Sequence, residues 1–462
     1  MAKYLVTSAL PYANGPIHFG HVAGAYLPAD VYVRYLRMSG HDVLYVCGTD
    51  EYGVAITLKA EQEGLEYGPY LDRWHQEIKA LFDQFKIEFD IFSGTARCPY
   101  HQETAQTFFK NLLDCGLVND RVERQWYSEE SGRFLPDRYL TGTCPECGHT
   151  EARGDECPSC GTWIDASALG NPTSLIDGSK PVLKETRHWY LDLPRIQAEG
   201  LGGWYANEDE NHPHKKWKPN VDGHVQAMLK DLRERPITRD LPWGVPLPEG
   251  VTDESGKVLY VWFDAPIGYI SITKQDIKDW KKWWHTPKDV RLVQFMGKDN
   301  IPFHTILFPS SLMGAEDDYV LLDHISSNEY LNYEGGQFSK SRHVGIFGDD
   351  AKNTGIKADI WRYCIMVNRP EKADTEFSWL DFQSKINHEL VANLGNLVNR
   401  TMKFLNSFYG GIIPKGSFGK IEREFIKEVK EKSKLAVNLL DEVKIKDSLR
   451  GIMNISKLGN TD

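Results

Sequence analysis

The chain has 462 residues, more than one ordinary domain needs, with 41% hydrophobic and 26% charged residues, the balance of a globular protein. No apolar run approaches the ~18 residues that cross a bilayer, and the opening "MAKYLVTSAL" has one lysine and no secretory-signal shape, so a cytoplasmic enzyme with no membrane partner is expected. The net charge of -11 argues against a plain nucleic-acid binder.

In chain order, "KYLVTSAL" reads as a buried strand and "YANGPIHFGH" as a turn rich in Asn, Gly and Pro. From His18 to Met38 apolar residues recur at helical spacing, stopped by Ser39-Gly40, and "HDVLYVCGTD" is a second β-rich run. Strand, helix, strand implies a parallel sheet. His18 and His21 then stand at the start of the helix, where backbone N–H groups and partial positive charge favour anions. Two imidazoles there can donate to a phosphate whose charge grows during reaction, and Gly20 lets a flat ligand approach. Taken alone, such a pair is more often satisfied by backbone and water.

About 140 residues, roughly Cys115 to Ser255, separate this unit from a second one. They hold the pattern C-x2-C-x9-C-x2-C at Cys144, Cys147, Cys157 and Cys160, with Gly after each second Cys. Two close thiolate pairs suit one tetrahedral Zn²⁺ better than another metal or four reduced free thiols, and with no open position a structural site is expected. The second unit is a strand and loop, "DVRLVQFMGKDN", a helix, "IPFHTILFPSSLMG", and a strand, "DYVLLDHISS". "GGQFSKSR" follows, a glycine turn and the basic run Ser339-Lys340-Ser341. Such a loop can hold a triphosphate, although on its own it is as readily an exposed turn. Ala358 to Asn368 reads as a helix, and helical periods dominate from Trp379 onward, broken near Tyr409 to Gly419. From Asp381 to Asp462 there are 14 Lys/Arg against 10 Asp/Glu, a net of +4, so the rest of the chain carries -15.

Together "HFGH" and "QFSKS" resemble the HIGH and KMSKS signatures of class I aminoacyl-tRNA synthetases. "TSALPYANGPIHFGH", "GTDEYG", "YVWFDAPIGY", "GKDNIPFH" and "NLGNLVNR" narrow the resemblance to the methionine-specific branch over almost the whole chain. It implies an α/β fold: a Rossmann-like parallel sheet (1–114 and 256–335) split by an inserted zinc-knuckle domain (115–255), then a linking region with the basic loop (336–378) and an α-helical anticodon-binding domain (379–462). It implies activation of methionine by ATP, with Mg²⁺ on the phosphates, and transfer to tRNA(Met). His18, His21 and Lys340 would be catalytic. Gly20, Gly297, Asp299, Ser339 and Ser341 would join them around ATP. Ala9, Leu10, Tyr12, Asp50, Trp262, Ala265, Pro266, Tyr269 and His304 would line the methionine pocket, with Asp50 on the ammonium. Asn396 and Arg400 would face the anticodon. Gln337 departs from the family's Lys at the start of the loop, and Asn300 stands where the family often has an apolar residue. The resemblance implies a base-stacking tryptophan shortly beyond the position of the closing "SKLGNTD", and none follows Trp379 here, so a shortened helical domain is expected, with weak charging of tRNA.

Other readings are a different class I synthetase, a tRNA-independent nucleotidyltransferase, or a zinc-dependent RNA-binding module without catalysis. The insert is short for an editing domain. A nucleotidyltransferase has no use for a basic helical tail, and an RNA-binding module needs neither the histidines nor Lys340.

Overall fold

Along the chain, strands β1 (Lys3–Ser8), β2 (Asp42–Thr49) and β3 (Ile91–Gly94) come first; an antiparallel pair, β4 (Val118–Ser128) and β5 (Val182–Leu191), follows; β6 (Val290–Gly297) and β7 (Leu322–Asn328) come last. The computed structural model describes residues 2–461, except 155, 156, 161, 163, 165, 252–255, 316 and 339–343. Five strands form one sheet in the order β7-β6-β1-β2-β3, every pairing parallel. β1 lies at its centre. Its continuous apolar run is what a strand buried on both faces requires, and alternate residues supply two cores. Leu5 joins one cluster and Val6 the other.

Helices cover both faces. After the turn Phe19–His21 and a widened turn Val22–Tyr26 comes α1 (Leu27–Met38), then α2 (Tyr67–Gln84), α3 (His101–Asp114), α4 (Val261–Asp276) and α5 (Ala358–Val367). α3 and α4 pack on the Leu5 face through Phe108, Phe109, Leu112, Ile267 and Ile270. α1, α2 and α5 pack on the Val6 face through Leu36, Phe82 and Trp361. The two β-α-β units expected from the sequence therefore meet edge to edge, β1 against β6.

Between them, β4 and β5 form a long antiparallel ladder running from Val118↔Leu191 to Tyr127↔Val182. A third core, with Leu135, Leu140, Cys144, Ala152 and Cys157, packs on Val54 and Leu58 of the helix that follows β2. The C-terminal region is helical as read, with α6 (Asn396–Tyr409), α7 (Lys420–Asp441) and α8 (Ile445–Thr461). A short strand, Thr375–Phe377, precedes them and pairs with Leu331–Tyr333, which the sequence reading did not mark. Among the described residues, no helix is long and apolar enough to cross a membrane.

Candidate functional site

The histidine turn closes on itself through a reciprocal cap. His18 has extended backbone, φ -107° and ψ 172°, so it precedes the helix rather than sharing a helical face with His21. Gly20 N–H donates to His18 Nδ1 at 3.2 Å, and His18 N–H donates to His21 Nδ1 at 3.3 Å. With both Nδ1 atoms accepting, each neutral imidazole carries its hydrogen on Nε2. The rings lie 3.9 Å apart, so two N–H donors of one kind are presented side by side at the carboxyl end of β1, the edge where open parallel sheets bind ligands. Gly20 has a local role as well: a Cβ there would meet His18 Cε1 at 2.9 Å.

The second signature folds against the first. Phe338 stacks on the His18 ring at 4.7 Å and 18°, Phe347 meets it edge-on at 5.9 Å, and Phe19 N–H donates to Ile346 O at 3.1 Å. Ser339, Lys340 and Ser341 lie outside the described residues, between Phe338 and that contact. Gly297 ends β6 opposite Asn328, and Asp299 accepts from Tyr330 Oη at 2.6 Å.

Asp50 directly follows β2 and is 2% exposed. Backbone bonds to Pro11 O and from Ala13 N tie it to the segment after β1, beside Tyr12. Its side chain receives the Tyr52 N–H at 3.4 Å, and among the described residues no basic side chain pairs with it. Burial, then the charges of Asp264 and Glu51, push its carboxyl well above the usual range. Its anion is costly in that setting until a cation stands beside it. Ala9 N–H donates to Phe295 O, and Leu10 packs against the core cluster that includes Ile267 and Tyr269 of α4. Tyr12 meets Trp262 edge-on at 5.8 Å, and Trp262 stacks on Phe303 at 4.0 Å. Ala265, Pro266 and Tyr269 are buried on α4. His304 Nδ1 lies 2.9 Å from the Asn300 carbonyl, which can only accept, so Nδ1 carries the hydrogen and Nε2 receives the Tyr269 O–H at 2.9 Å. Burial holds this imidazole down to about 4, so it is neutral. An uncharged, hydrogen-bonded Tyr–His pair among aromatic rings is a suitable surround for a thioether.

Two buried polar networks support this pocket and were not read from the sequence. Glu51, unexposed, accepts from Ala96 N, Arg97 N and Arg97 Nε at 3.0, 3.0 and 2.6 Å, and from Thr49 Oγ1 at 2.8 Å. His101 joins Asp264 and Ser271 at 3.0 and 2.9 Å. The only available signal was Glu51's place in "GTDEYG", beside Asp50.

Cys144, Cys147, Cys157 and Cys160 converge as their spacing implied, with all four Sγ atoms within 4.8 Å of one another. Cys144–Cys160 and Cys147–Cys157 are 3.9 and 3.6 Å apart. Four sulfurs at ~2.3 Å from a tetrahedral Zn²⁺ stand ~3.8 Å from each other, so the cluster fits that ion. Gly148, at φ 75°, makes the knuckle turn that returns its N–H to Cys144 O. Asn396 opens α6 and donates to Asn460 Oδ1 at 3.4 Å, while Arg400, one turn on, is exposed.

The family model described as tRNA synthetases class I (M) matches residues 4–402. Methionine–tRNA ligase of Bacteroides fragilis is 46% identical over 459 residues, 98% of this chain and 66% of the relative. The enzyme described as methionine–tRNA ligase, cytoplasmic, of Mus musculus is 45% identical over 458 residues, 99% of this chain and 50% of the relative. The chain thus spans from half to about two thirds of the length of these curated relatives. In fold it is similar to Mycobacterium tuberculosis methionyl-tRNA synthetase in complex with methionyl-adenylate, with a TM-score of 0.78 at 22% identity, covering 100% of this chain and 83% of that one.

Proposed function

The chain belongs to the class I tRNA synthetases of the methionine type, and from that premise we propose that it activates methionine with ATP and transfers the methionyl group to tRNA(Met). In the first step a carboxylate oxygen of methionine attacks the α-phosphate of ATP; the bond to the β-phosphate breaks and pyrophosphate leaves. In the second, the 3′-terminal ribose hydroxyl of the tRNA attacks the acyl carbonyl and AMP leaves. Neither step needs a protein nucleophile, so positioning and charge stabilisation carry the catalysis. The Nε2–H groups of His18 and His21 donate to the phosphate oxygens as charge builds on them. Lys340 neutralises the departing pyrophosphate, with Ser339 and Ser341 beside it, and Gly20, Gly297 and Asp299 line the nucleotide. Mg²⁺ bound with ATP would offset charge on the phosphates.

Asp50 holds the ammonium, and Ala9, Leu10, Tyr12, Trp262, Ala265, Pro266, Tyr269 and His304 surround the side chain. Zn²⁺ on Cys144, Cys147, Cys157 and Cys160 crosslinks the insert at 115–255. That insert divides the catalytic halves at 1–114 and 256–335, and the segment 336–378 links them to the helical region at 379–462. There Asn396 and Arg400 meet the anticodon. The cytoplasm is the expected location, as the name of the mouse relative states for that enzyme.

The observation that carries this reading is Asp50: a buried acid with no basic partner among the described residues, at the same carboxyl edge of the sheet as the paired histidines. The test is ATP–pyrophosphate exchange across a panel of amino acids. Exchange with methionine, with a Michaelis constant for methionine raised about 10²-fold in Asp50→Ala, is expected from loss of a charge-assisted contact. Exchange with no amino acid would overturn it.

A further inference from the structure

His101 opens α3 and Asp264 lies in the first turn of α4; both are 0% exposed. Asp264 Oδ2 is 3.0 Å from His101 Nε2, and His101 Nδ1 is 2.9 Å from Ser271 Oγ. The serine hydroxyl has one hydrogen, which it donates to Gly268 O at 3.1 Å. It therefore receives the hydrogen on His101 Nδ1, and the neutral ring is left with a bare Nε2. A bare nitrogen 3.0 Å from a carboxyl oxygen requires the hydrogen to sit on that oxygen. Burial favours the same state, since an Asp264 anion would have no cation beside it. The imidazole is held down to about 3 and the carboxyl pushed well above its usual range.

The other carboxyl oxygen, Asp264 Oδ1, is buried and has no hydrogen-bond partner among the described residues. An acceptor sealed from water without a donor is costly, and natural structures rarely leave one so. Its surroundings indicate the missing donor. Asp264 and Asp50 belong to one buried cluster around Tyr52 and His101. Tyr52 links them: its N–H donates to Asp50 Oδ1 and its ring stacks at 6.0 Å on His101. Ala265 and Pro266, the next two residues, are among those proposed for the amino-acid pocket.

We infer that Asp264 is a neutral carboxylic acid, and that its Oδ1 receives the ammonium group of the amino acid beside the carboxylate of Asp50. This rests on the amino-acid-activating reading above. The division of labour follows from charge: one anion matches one ammonium, whereas a second would remain uncompensated in the filled pocket. The neutral acid adds a second directed acceptor without adding charge, so the ammonium is fixed at two points.

The state has an isostere. Asparagine keeps an oxygen at Oδ1 and offers an N–H where Asp264 offers its O–H to His101. On the full chain, Asp264→Asn should restore most of the methioninol affinity that Asp264→Leu loses, because asparagine keeps both hydrogen bonds. Asp50→Asn should lose about 10²-fold, chiefly in KM. Asp264→Leu, which removes both groups, should weaken binding of methioninol about tenfold or more while leaving its deamino analogue, 4-(methylthio)butan-1-ol, nearly unchanged. Asp264→Asn falling as far as Asp50→Asn would show that Asp264 works as an anion and overturn the inference. Equal losses of both alcohols in Asp264→Leu would reduce the residue to packing and overturn it too. Wild-type protein that exchanges with no amino acid would instead overturn the reading beneath it.

Discussion

Gly20 decides the geometry of the histidine turn. A side chain there would press on Cε1 and Nδ1 of His18 at 2.9 and 3.0 Å, the ring that caps Gly20's own N–H. Gly20→Ala should therefore displace the His18 ring and act like His18→Ala. Each of His18→Ala, His21→Ala and Gly20→Ala should slow adenylate formation by about 10²–10³, the usual cost of one preorganised donor, with methionine affinity near wild type. Single-turnover measurement of adenylate checks this, and unchanged rates would remove the histidines from the chemistry. These residues were legible because their contacts are local, two or three positions apart. His101 and Asp264 meet across 163 positions, and Glu51 and Arg97 across 46. Residue types so common, brought together only by the fold, leave no spacing to read.

Among the elements, the parallel strands were readable because burial on both faces leaves continuous apolar runs bounded by turns. The β4–β5 ladder was not. Its strands alternate polar and charged residues such as Arg121, Glu123, Lys184 and Glu185, and their pairing is fixed across an insert rather than by a tight turn. The knuckle was legible as a metal pattern, but not as a support. Cys144 and Cys157 are buried in the same cluster as Val54 and Leu58, on the helix that leaves the Asp50 turn. Metal analysis should find one zinc per chain. Chelation should raise hydrogen exchange in Leu140–Thr143 and in Val54–Gln62 together, and raise the Michaelis constant for methionine more than it lowers the turnover number. A chelated protein with protected Val54–Gln62 amides would show that the knuckle is independent of the pocket. At the other end of the chain, Arg400→Ala should weaken tRNA(Met) binding by about 1–3 kcal/mol without changing methionine-dependent exchange, as for loss of one base or phosphate contact on an exposed helix. Equal binding by filter assay would take Arg400 out of the RNA surface.

Over the whole molecule, charge is sorted in opposite senses inside and out. Outside, a net of +4 from Asp381 onward faces -15 in the remainder, a division visible in the sequence alone. Inside, the buried titratable groups oppose each other, which depends on tertiary burial and could not be read beforehand. His101 and His304 are held down to about 3 and about 4. Below the ordinary imidazole value the unfolded chain takes up protons that the folded one refuses, so these two withdraw stability as pH falls from about 6.5 toward 4. Asp50 and Asp264 are pushed upward, so the folded chain keeps protons that the unfolded one releases, and they withdraw stability as pH rises from about 4. Between about pH 4 and 6.5 the two pairs offset one another. Asp50→Asn removes one buried acid and leaves every other titrating group in place. The difference in unfolding free energy between variant and wild type then isolates this single group. It should be small near pH 4 and grow in the variant's favour by up to about 1.4 kcal/mol per pH unit until Asp50 ionises in the folded state. Denaturant melts of both proteins from pH 4 to 8, without methionine, read it directly. The variant should gain stability as it loses its substrate, the exchange expected where a binding site holds an acid for a cation not yet present. A pH-independent difference would mean that Asp50 is already ionised in the free protein, with water or an unrecognised cation meeting its charge.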